Sequence, residues 1–463
     1  MDLNLLLILP DIDNKRILAY KTNGTYQLPL FTEPVGENTA FDETQAYNDY
    51  FQEIIGISVY RRYTFNTQNY VVFVFEQIAR DNAEPMPVDK FGWVSYNDFA
   101  AACDISEVAE IANSVKLYYD VSENMPWVKH GFSPYFTWLH KVCRQKDIHI
   151  TGDICQLKNA YVSTVFRVST NIGNIYMKIP GTIFISEIPF TYGLKKLDIT
   201  NLPYWMDCDF DMNVMLMKDM CGSDLSNESS AETLRDVLLS FASIQKNSIP
   251  HMPLDFFHHD STISAFLGKL DTFPQKASEI LSGTQYKLTQ SELENLQSHV
   301  ITAAAILQSI NTIPIPNTIH HGDVRPGNIR VIDENYMFYD WAWGAVSHPF
   351  IEIVSFLHII RRTLNEVSKD MLINTYLRQW LAYGTYDELK YVFSTLSAIK
   401  DLFFAIVDYD WVETIKLQTN NVNMMSADGW LADRRAYYLA NVLRRFIETP
   451  IAMSYSKIKG EIT

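Results

Sequence analysis

Apolar and polar positions along the chain fall into two regimes. Short apolar runs of strand length dominate up to about residue 218, and three- and four-residue apolar spacing dominates after it. Residues 3–9 predict a buried strand, followed by a turn at 11–15 and a second strand over 16–21. Ala46, Tyr50 and Ile54 recur every four positions, which predicts a helix over 42–54 closed by Gly56. Strands are expected at 70–76 and from Lys90, the latter turning into a helix near Phe99. Residues 120–134 carry punctuating Pro and Gly and read as a linker, with a short amphipathic helix over 136–146. Trp127 and Trp138 read as packing anchors. Strand patterns return at 155–157, 163–170, 175–180 and 214–217. Helices are expected over 231–245, 289–310, 350–364 and 432–447, the second opened by a Thr289/Glu292 capping box.

One stretch, 318–345, departs from both regimes. It reads Thr-Ile-His-His-Gly-Asp-Val-Arg-Pro-Gly-Asn, then a short strand over 329–332, a polar turn Asp333-Glu334-Asn335, and a second strand over 336–339. Asp323 is followed by Asn328 five residues on and by Asp340 twelve further. A hairpin of this length carries Asp340 back beside Asn328. A carboxylate that can take a hydroxyl proton would then stand near two oxygen ligands for a hard metal ion. Phosphoryl transfer needs such a set. Elsewhere, Lys178 sits among apolar neighbours in a predicted strand, an uncommon place for a residue that resists burial without a partner. Glu187 lies nine residues on, in a segment that Pro189 shortens or shifts.

Composition narrows the field. At 463 residues the chain exceeds one ordinary core, so two or three domains are expected. The formal net charge is -16, and residues 1–125 hold 19 acidic against 8 basic side chains, which argues against a nucleic-acid partner. The five cysteines are scattered and never form Cys-x-x-Cys, which suits a reducing cytoplasm and neither a disulfide framework nor a zinc site. The apolar start lacks a basic leader and carries Asp2, so no signal peptide is expected. The apolar run 391–407 is broken by Lys400 and Asp401, so no membrane span is expected.

The strand lysine, the hairpin and His321-Gly-Asp323-x-x-x-x-Asn328 followed by Asp340-Trp341 together resemble the aminoglycoside phosphotransferase and choline kinase-like family. The likeness covers roughly 135–450. It implies a bilobal protein kinase-like α+β fold, with an N-lobe over 151–220, a helical C-lobe over 221–463, and a connecting segment over 121–150. It implies an enzyme that moves the γ-phosphate of ATP or GTP to a small-molecule hydroxyl, with an amine or a sugar among the acceptors. Asp323 would be the catalytic base, Asn328 and Asp340 would hold Mg²⁺, and Arg325 would contact the γ-phosphate. Lys178 would contact the α- and β-phosphates, positioned by Glu187. Lys218, Asp219 and Met220 would form the hinge that meets a purine. The turn 158–164 contains no glycine, so the hydroxyls of Ser163 or Thr164 would serve the phosphates there. His321 reads as a structural member of the loop. The run Asp408-Tyr-Asp-Trp411 with Glu413 is a candidate amine receptor, but reads better as a solvated helix end.

Residues 1–120 resemble a Nudix-like α/β/α domain in strand order and in Trp93-Val94-Ser95. Where that family has Arg-Glu-x-x-Glu-Glu-x-Gly, this chain has Asp49-Tyr-Phe-Gln-Glu53-Ile-Ile-Gly56, so one of three metal-binding glutamates remains. One carboxylate does not assemble a metal cluster, and the domain is expected to be inactive as a hydrolase. The competing reading of the whole chain is a pseudokinase-like scaffold that binds or senses a nucleotide.

Overall fold

The computed structural model describes residues 2–11, 15–34, 45–55, 58–67, 69–77, 91–103, 105–119, 125–160, 162–197, 199–226, 229–362, 364–418 and 427–449. The expected helix start at 42–44, Gly56 and residues 120–124 of the expected linker lie outside them. Helix and sheet are mixed, and the chain forms two compact units. One is built chiefly from 1–185 and 206–219, the other chiefly from 186–205, 220–417 and 431–463.

Among the described residues the first unit holds three sheets. The strand Asp2–Ile8 pairs parallel with Val71–Gln77 and antiparallel with Leu30–Pro34, and Val59–Asn66 closes that sheet. Arg16–Thr22 pairs with Pro10–Asp11, Thr25–Gln27 and Phe91–Ser95 in a second sheet. The helix Gln45–Ile55 buries Tyr47 and Phe51 against Phe73 and Phe75. The third sheet runs in the order Trp205–Asp209, Val214–Lys218, Gly173–Pro180, Ser163–Thr170, Ile150–Ala160.

These sheets share one apolar core. It extends from Leu6 and Val72 through Trp127 and Leu139 to Phe166, Met177 and Leu216. At its centre Phe166 meets Phe132, Phe136 and Tyr60 edge-on at 5.1, 5.2 and 5.6 Å, the geometry that aromatic quadrupoles favour. The segment expected as a linker contributes to this core. Pro126–His130 and Ser133–Gln145 are helices, each with a proline in its first turn, and Trp127 is fully buried. Pro126 and Gly131 are start and stop signals for that short helix rather than marks of an open connection. Trp127 Nε1 donates to the Arg62 carbonyl, and Arg62 Nε donates to the Trp127 carbonyl, both at 3.1 Å.

The second unit is mainly helical. Its core gathers the apolar faces of Ala231–Ser248, Gln290–Ile310, Pro349–Ile359, Tyr386–Ala398 and Lys400–Gln418, among others. The Thr289 capping box is complete: Thr289 Oγ1 accepts from Glu292 N at 3.2 Å, and Glu292 Oε2 accepts from Thr289 N at 2.7 Å. The run 391–407 divides between two helices at Ile399, and among the described residues no helix is long and apolar enough to cross a membrane.

Because Phe166 joins the first sheet to the third, Phe166→Ala is expected to destabilise both together, by about 3–5 kcal/mol. Native-state hydrogen exchange checks this. Amides of 71–77 and 163–170 should lose protection by equal free energies, and loss confined to 163–170 would contradict a shared core.

Candidate active site

The loop that carries Asp323 is held from beneath. The strand Thr318–His320 pairs with Ala345–Ser347 and delivers His321 into the interior, where it is fully buried. Its Nδ1 accepts from the Asp323 N–H at 3.3 Å and its Nε2 donates to the Tyr339 carbonyl at 2.8 Å. That pattern assigns the proton to Nε2 and leaves the ring no free nitrogen for acid or base work. Trp341 packs on the ring at 4.5 Å. Gly322 has φ +82°, and a Cβ there would lie 2.4 Å from the Trp343 Cβ, so glycine is required by both conformation and space.

Glu352 supplies the anchor. It projects from the helix Pro349–Ile359 and is 1% exposed. Its Oε2 accepts from the backbone N–H groups of His321 and Gly322 at 2.6 and 3.0 Å, and pairs with His320 Nδ1 at 2.9 Å. Burial alone would raise this carboxyl's pKa. The His320 charge and the hydrogen bonds outweigh it and bring the pKa down to about 2.

Above the anchor, Asn328 closes the loop. It ends the turn Pro326–Asn328, and its Nδ2 donates to both the Asp323 carbonyl (2.8 Å) and Asp323 Oδ2 (2.9 Å). Committing the amide nitrogen in this way leaves Oδ1 as the atom of Asn328 available to a ligand. Arg325 Nε also reaches Asp323 Oδ2, at 3.1 Å. Both contacts fall on one carboxylate oxygen, and among the described residues no hydrogen bond reaches Oδ1. Burial raises the Asp323 pKa against the pull of Arg325, and neighbouring Asp340 adds to the rise.

The expected hairpin is present as Ile329–Ile332 and Asn335–Phe338, with Ile329 opposite Phe338. Its turn places Asp333 and Glu334 at φ 45° and 67°, the double left-handed conformation that matches strand twist in two-residue hairpins. Tyr339 N donates to the Asn328 carbonyl at 3.1 Å, so the residue before Asp340 is tied to Asn328. Asp340 itself has φ 65°, a conformation that aspartate tolerates better than most residues. Asp323, Arg325, Asn328 and Asp340 are therefore brought together within the second unit.

The remaining expected residues lie outside this loop. Lys178 lies in Gly173–Pro180 opposite Val165 and Met215 and is 7% exposed. Ser163 and Thr164 begin the neighbouring strand, both buried. The Thr164 hydroxyl donates to the Lys158 carbonyl at 3.0 Å and accepts from Gln156 Nε2 at 3.1 Å, so it is engaged within the sheet. Lys218 ends its strand exposed, and the Asp219 N–H is already given to the Asn174 carbonyl at 3.2 Å. Met220 opens the second unit's long stretch. Glu187 begins the helix Glu187–Leu194, where Pro189 sits in the first turn and costs no helical hydrogen bond.

One expectation is corrected. Asp408 to Glu413 is no solvated helix end, because it lies inside Lys400–Gln418, with Tyr409 and Trp411 buried. Asp408 pairs with Arg435 at 3.2 Å and Asp410 with Lys269 at 2.9 Å, and the Arg435 guanidinium covers the Trp411 ring at 4.2 Å. Both aspartates are thus already neutralised by partners distant in sequence. Sequence reasoning also misses Glu352. Its signal is a lone carboxylate in the apolar helix 349–357, where an unpaired charge does not belong.

Solved structures of similar fold were found. A choline/ethanolamine kinase family protein from Mesorhizobium loti is 17% identical, with a TM-score of 0.44 over 67% of this chain and 93% of that one. A choline kinase from Cryptosporidium parvum is 12% identical, with a TM-score of 0.47 over 70% and 99%. A macrolide 2'-phosphotransferase from Brachybacterium faecium is 12% identical, with a TM-score of 0.45 over 65% and 97%. The structural neighbours are small-molecule kinases and phosphotransferases of the protein kinase-like fold. No family model and no curated protein matches the sequence.

The depressed pKa of Glu352 has a definite sign. Its charge stabilises the fold fully above the ordinary glutamate range, near pH 4.5, and this contribution is lost as pH falls toward 2. Glu352→Gln is expected to be less stable than wild type at pH 7 by about 3 kcal/mol, a gap that closes in acid. Denaturant unfolding of both proteins from pH 7 to pH 3 measures it, and a gap independent of pH would contradict the anchor.

Proposed function

We propose that this chain is a phosphotransferase that moves the γ-phosphate of ATP or GTP to a hydroxyl of a small molecule. The observation that carries the reading is the double hydrogen bond from Asn328 Nδ2 to Asp323. It aims the Asn328 oxygen and orients the Asp323 carboxylate in one arrangement. Asp323 Oδ1 accepts the proton of the acceptor hydroxyl as the hydroxyl oxygen bonds to the γ-phosphorus and the bond from that phosphorus to the β,γ-bridging oxygen breaks, releasing the nucleoside diphosphate. Burial raises the Asp323 pKa, the direction that makes its carboxylate a stronger base for this task.

Asn328 Oδ1 and the Asp340 carboxylate are the hard oxygen donors that would hold Mg²⁺, and the set fits an ion that takes few protein ligands and completes its shell with phosphates and water. When bound, that ion neutralises phosphate charge. Arg325 is partly exposed beside Asp323, with its side chain 53% accessible, and would contact the γ-phosphate as a planar donor. Lys178 takes the α- and β-phosphates, with Glu187 as its positioning carboxylate. Lys218 to Met220 supply the hinge, and the turn over 158–164 covers the phosphates. Ser163 remains a candidate hydroxyl there, whereas Thr164 serves the frame of the turn.

Residues 1–120 are read as Nudix-like in fold without hydrolase chemistry. Supporting this are the mixed sheet with Asp2–Ile8 parallel to Val71–Gln77 and a helix, Gln45–Ile55, whose Glu53 is solvent-exposed. No hydrolysis of nucleoside diphosphate sugars is expected, and turnover that vanishes in Glu53→Gln would contradict the reading.

The phosphotransferase assay uses labelled ATP or GTP with Mg²⁺ and a panel of amines, sugars and nucleosides. Asp323→Asn is expected to lower transfer about 100- to 10,000-fold, the range for loss of a general base, while nucleotide affinity stays near wild type. Calorimetry that detects neither nucleotide bound in the presence of Mg²⁺ would overturn the proposal. Binding with transfer to no acceptor would favour the scaffold reading.

A further inference from the structure

None of the roles above uses the strand Val59–Asn66, yet it carries a buried polar cluster. Arg61 is fully buried, with its guanidinium 4.7 Å from the Phe73 ring centroid. Packing alone does not call for a charge there, since apolar residues of similar volume often replace buried ionic groups without loss of stability. The contacts of Arg61 show what it holds. Its backbone N–H donates to Gln156 Oε1 at 2.8 Å, and Gln156 Nε2 donates back to the Arg61 carbonyl at 2.9 Å. Asn159 Nδ2 donates to the same carbonyl in a short hydrogen bond. Arg61 Nη2 donates to the Asn159 carbonyl at 3.1 Å.

Gln156 and Asn159 lie three residues apart in Ile150–Ala160, and both are buried while Leu157 between them is exposed. Strict alternation forbids that pattern. The pairing of this strand with Ser163–Thr170 is irregular here, where Val165 faces Lys158 but Phe166 faces Gln156. The extra residue re-aims the strand. A matching irregularity occurs in Val59–Asn66 beside Arg61. Two irregular strands thus meet at one cluster, and both strand ends of the 158–164 turn are captured. The Lys158 carbonyl accepts from Thr164 Oγ1, which Gln156 Nε2 holds in turn. Thr164 pairs with Ile179 and Val165 pairs with Lys178, so the cluster and the lysine occupy adjacent registers of one sheet.

We propose that Arg61, acting through Gln156 and Asn159, is a positioning residue for the nucleotide. It presets the two described strand ends of the glycine-free turn, 158–160 and 162–164, for the phosphates. The inference rests on the phosphotransferase reading and adds that residues 1–120 are a working part of nucleotide binding. Fixing the turn before the ligand arrives removes an ordering cost from binding.

Two variants test it, Arg61→Met, which keeps bulk over Phe73 but removes the guanidinium that donates to the Asn159 carbonyl, and Asn159→Ala. Calorimetry with Mg·ATP, thermal melting, and hydrogen exchange at 158–165 and 71–77 are measured for each. Affinity for Mg·ATP is expected to fall about tenfold or more, with faster exchange at 158–165 and retained protection at 71–77. A purely structural role would lower the melting temperature and leave the affinity of the folded protein unchanged. If Arg61→Met does not fold, Asn159→Ala decides alone. Wild-type affinity in the folded variants overturns this inference and leaves the phosphotransferase reading standing. Failure of the wild-type protein to bind either Mg·ATP or Mg·GTP overturns both.

Discussion

The loop at Asp323 depends on a single buried charge. Two consecutive backbone N–H groups, those of His321 and Gly322, point at Glu352 Oε2, and the His320 ring nitrogen Nδ1 lies 2.9 Å from the same oxygen. A carboxylate removed from water survives only when such donors replace its hydration. The dependence runs both ways. The donors hold the charge, and the charge holds two successive peptide planes in the orientation that turns Asp323 upward. Gly322 is the hinge of that turn, since its left-handed φ and its contact with Trp343 admit no side chain.

Everything above the anchor is a chain of local consequences. His321 bridges the Asp323 amide and the Tyr339 carbonyl, and so ties the loop to the end of the hairpin. Asn328 ties the same loop to its own turn. Tyr339 N–H binds the Asn328 carbonyl and brings Asp340 into place. The His321 and Asn328 side chains are both oriented by bonds to backbone, which moves less than side chains do. A site assembled this way needs little rearrangement when charge develops on a phosphate.

The same local logic decides what is legible in the sequence. Asp323, Asn328 and Asp340 lie within eighteen positions and are joined by a turn and a hairpin, so spacing alone places them. Glu352 acts on backbone amides thirty residues away, and backbone leaves no mark in a sequence pattern. The run Asp408 to Glu413 misleads for a related reason. Its charges are cancelled by Lys269 and Arg435, neither of which is near in sequence. The segment 120–134 reads as a linker because Pro and Gly punctuate both linkers and short helices. Only the burial of Trp127 separates the two.

Gln156 and Asn159 are hidden by a stricter rule. Period-two reading assigns residues three apart to opposite faces of a strand, and the irregular pairing at Leu157 puts both on one face. Arg61 is hidden as well, because an arginine inside an alternating strand reads as solvent-facing. Its burial reverses the usual relation between a first module and the rest of a chain. A tethered accessory domain would meet its neighbour through an exposed, replaceable surface. Here a backbone amide, a carbonyl and a guanidinium of one strand are the partners of two carboxamides in another, and Phe166 seals the apolar side of the same contact. Removing the first module would strip Tyr60 from Phe166 and take the Arg61 partners from Gln156 and Asn159 at once. The five-stranded sheet that carries Lys178 therefore shares its core and a polar cluster with residues 1–120.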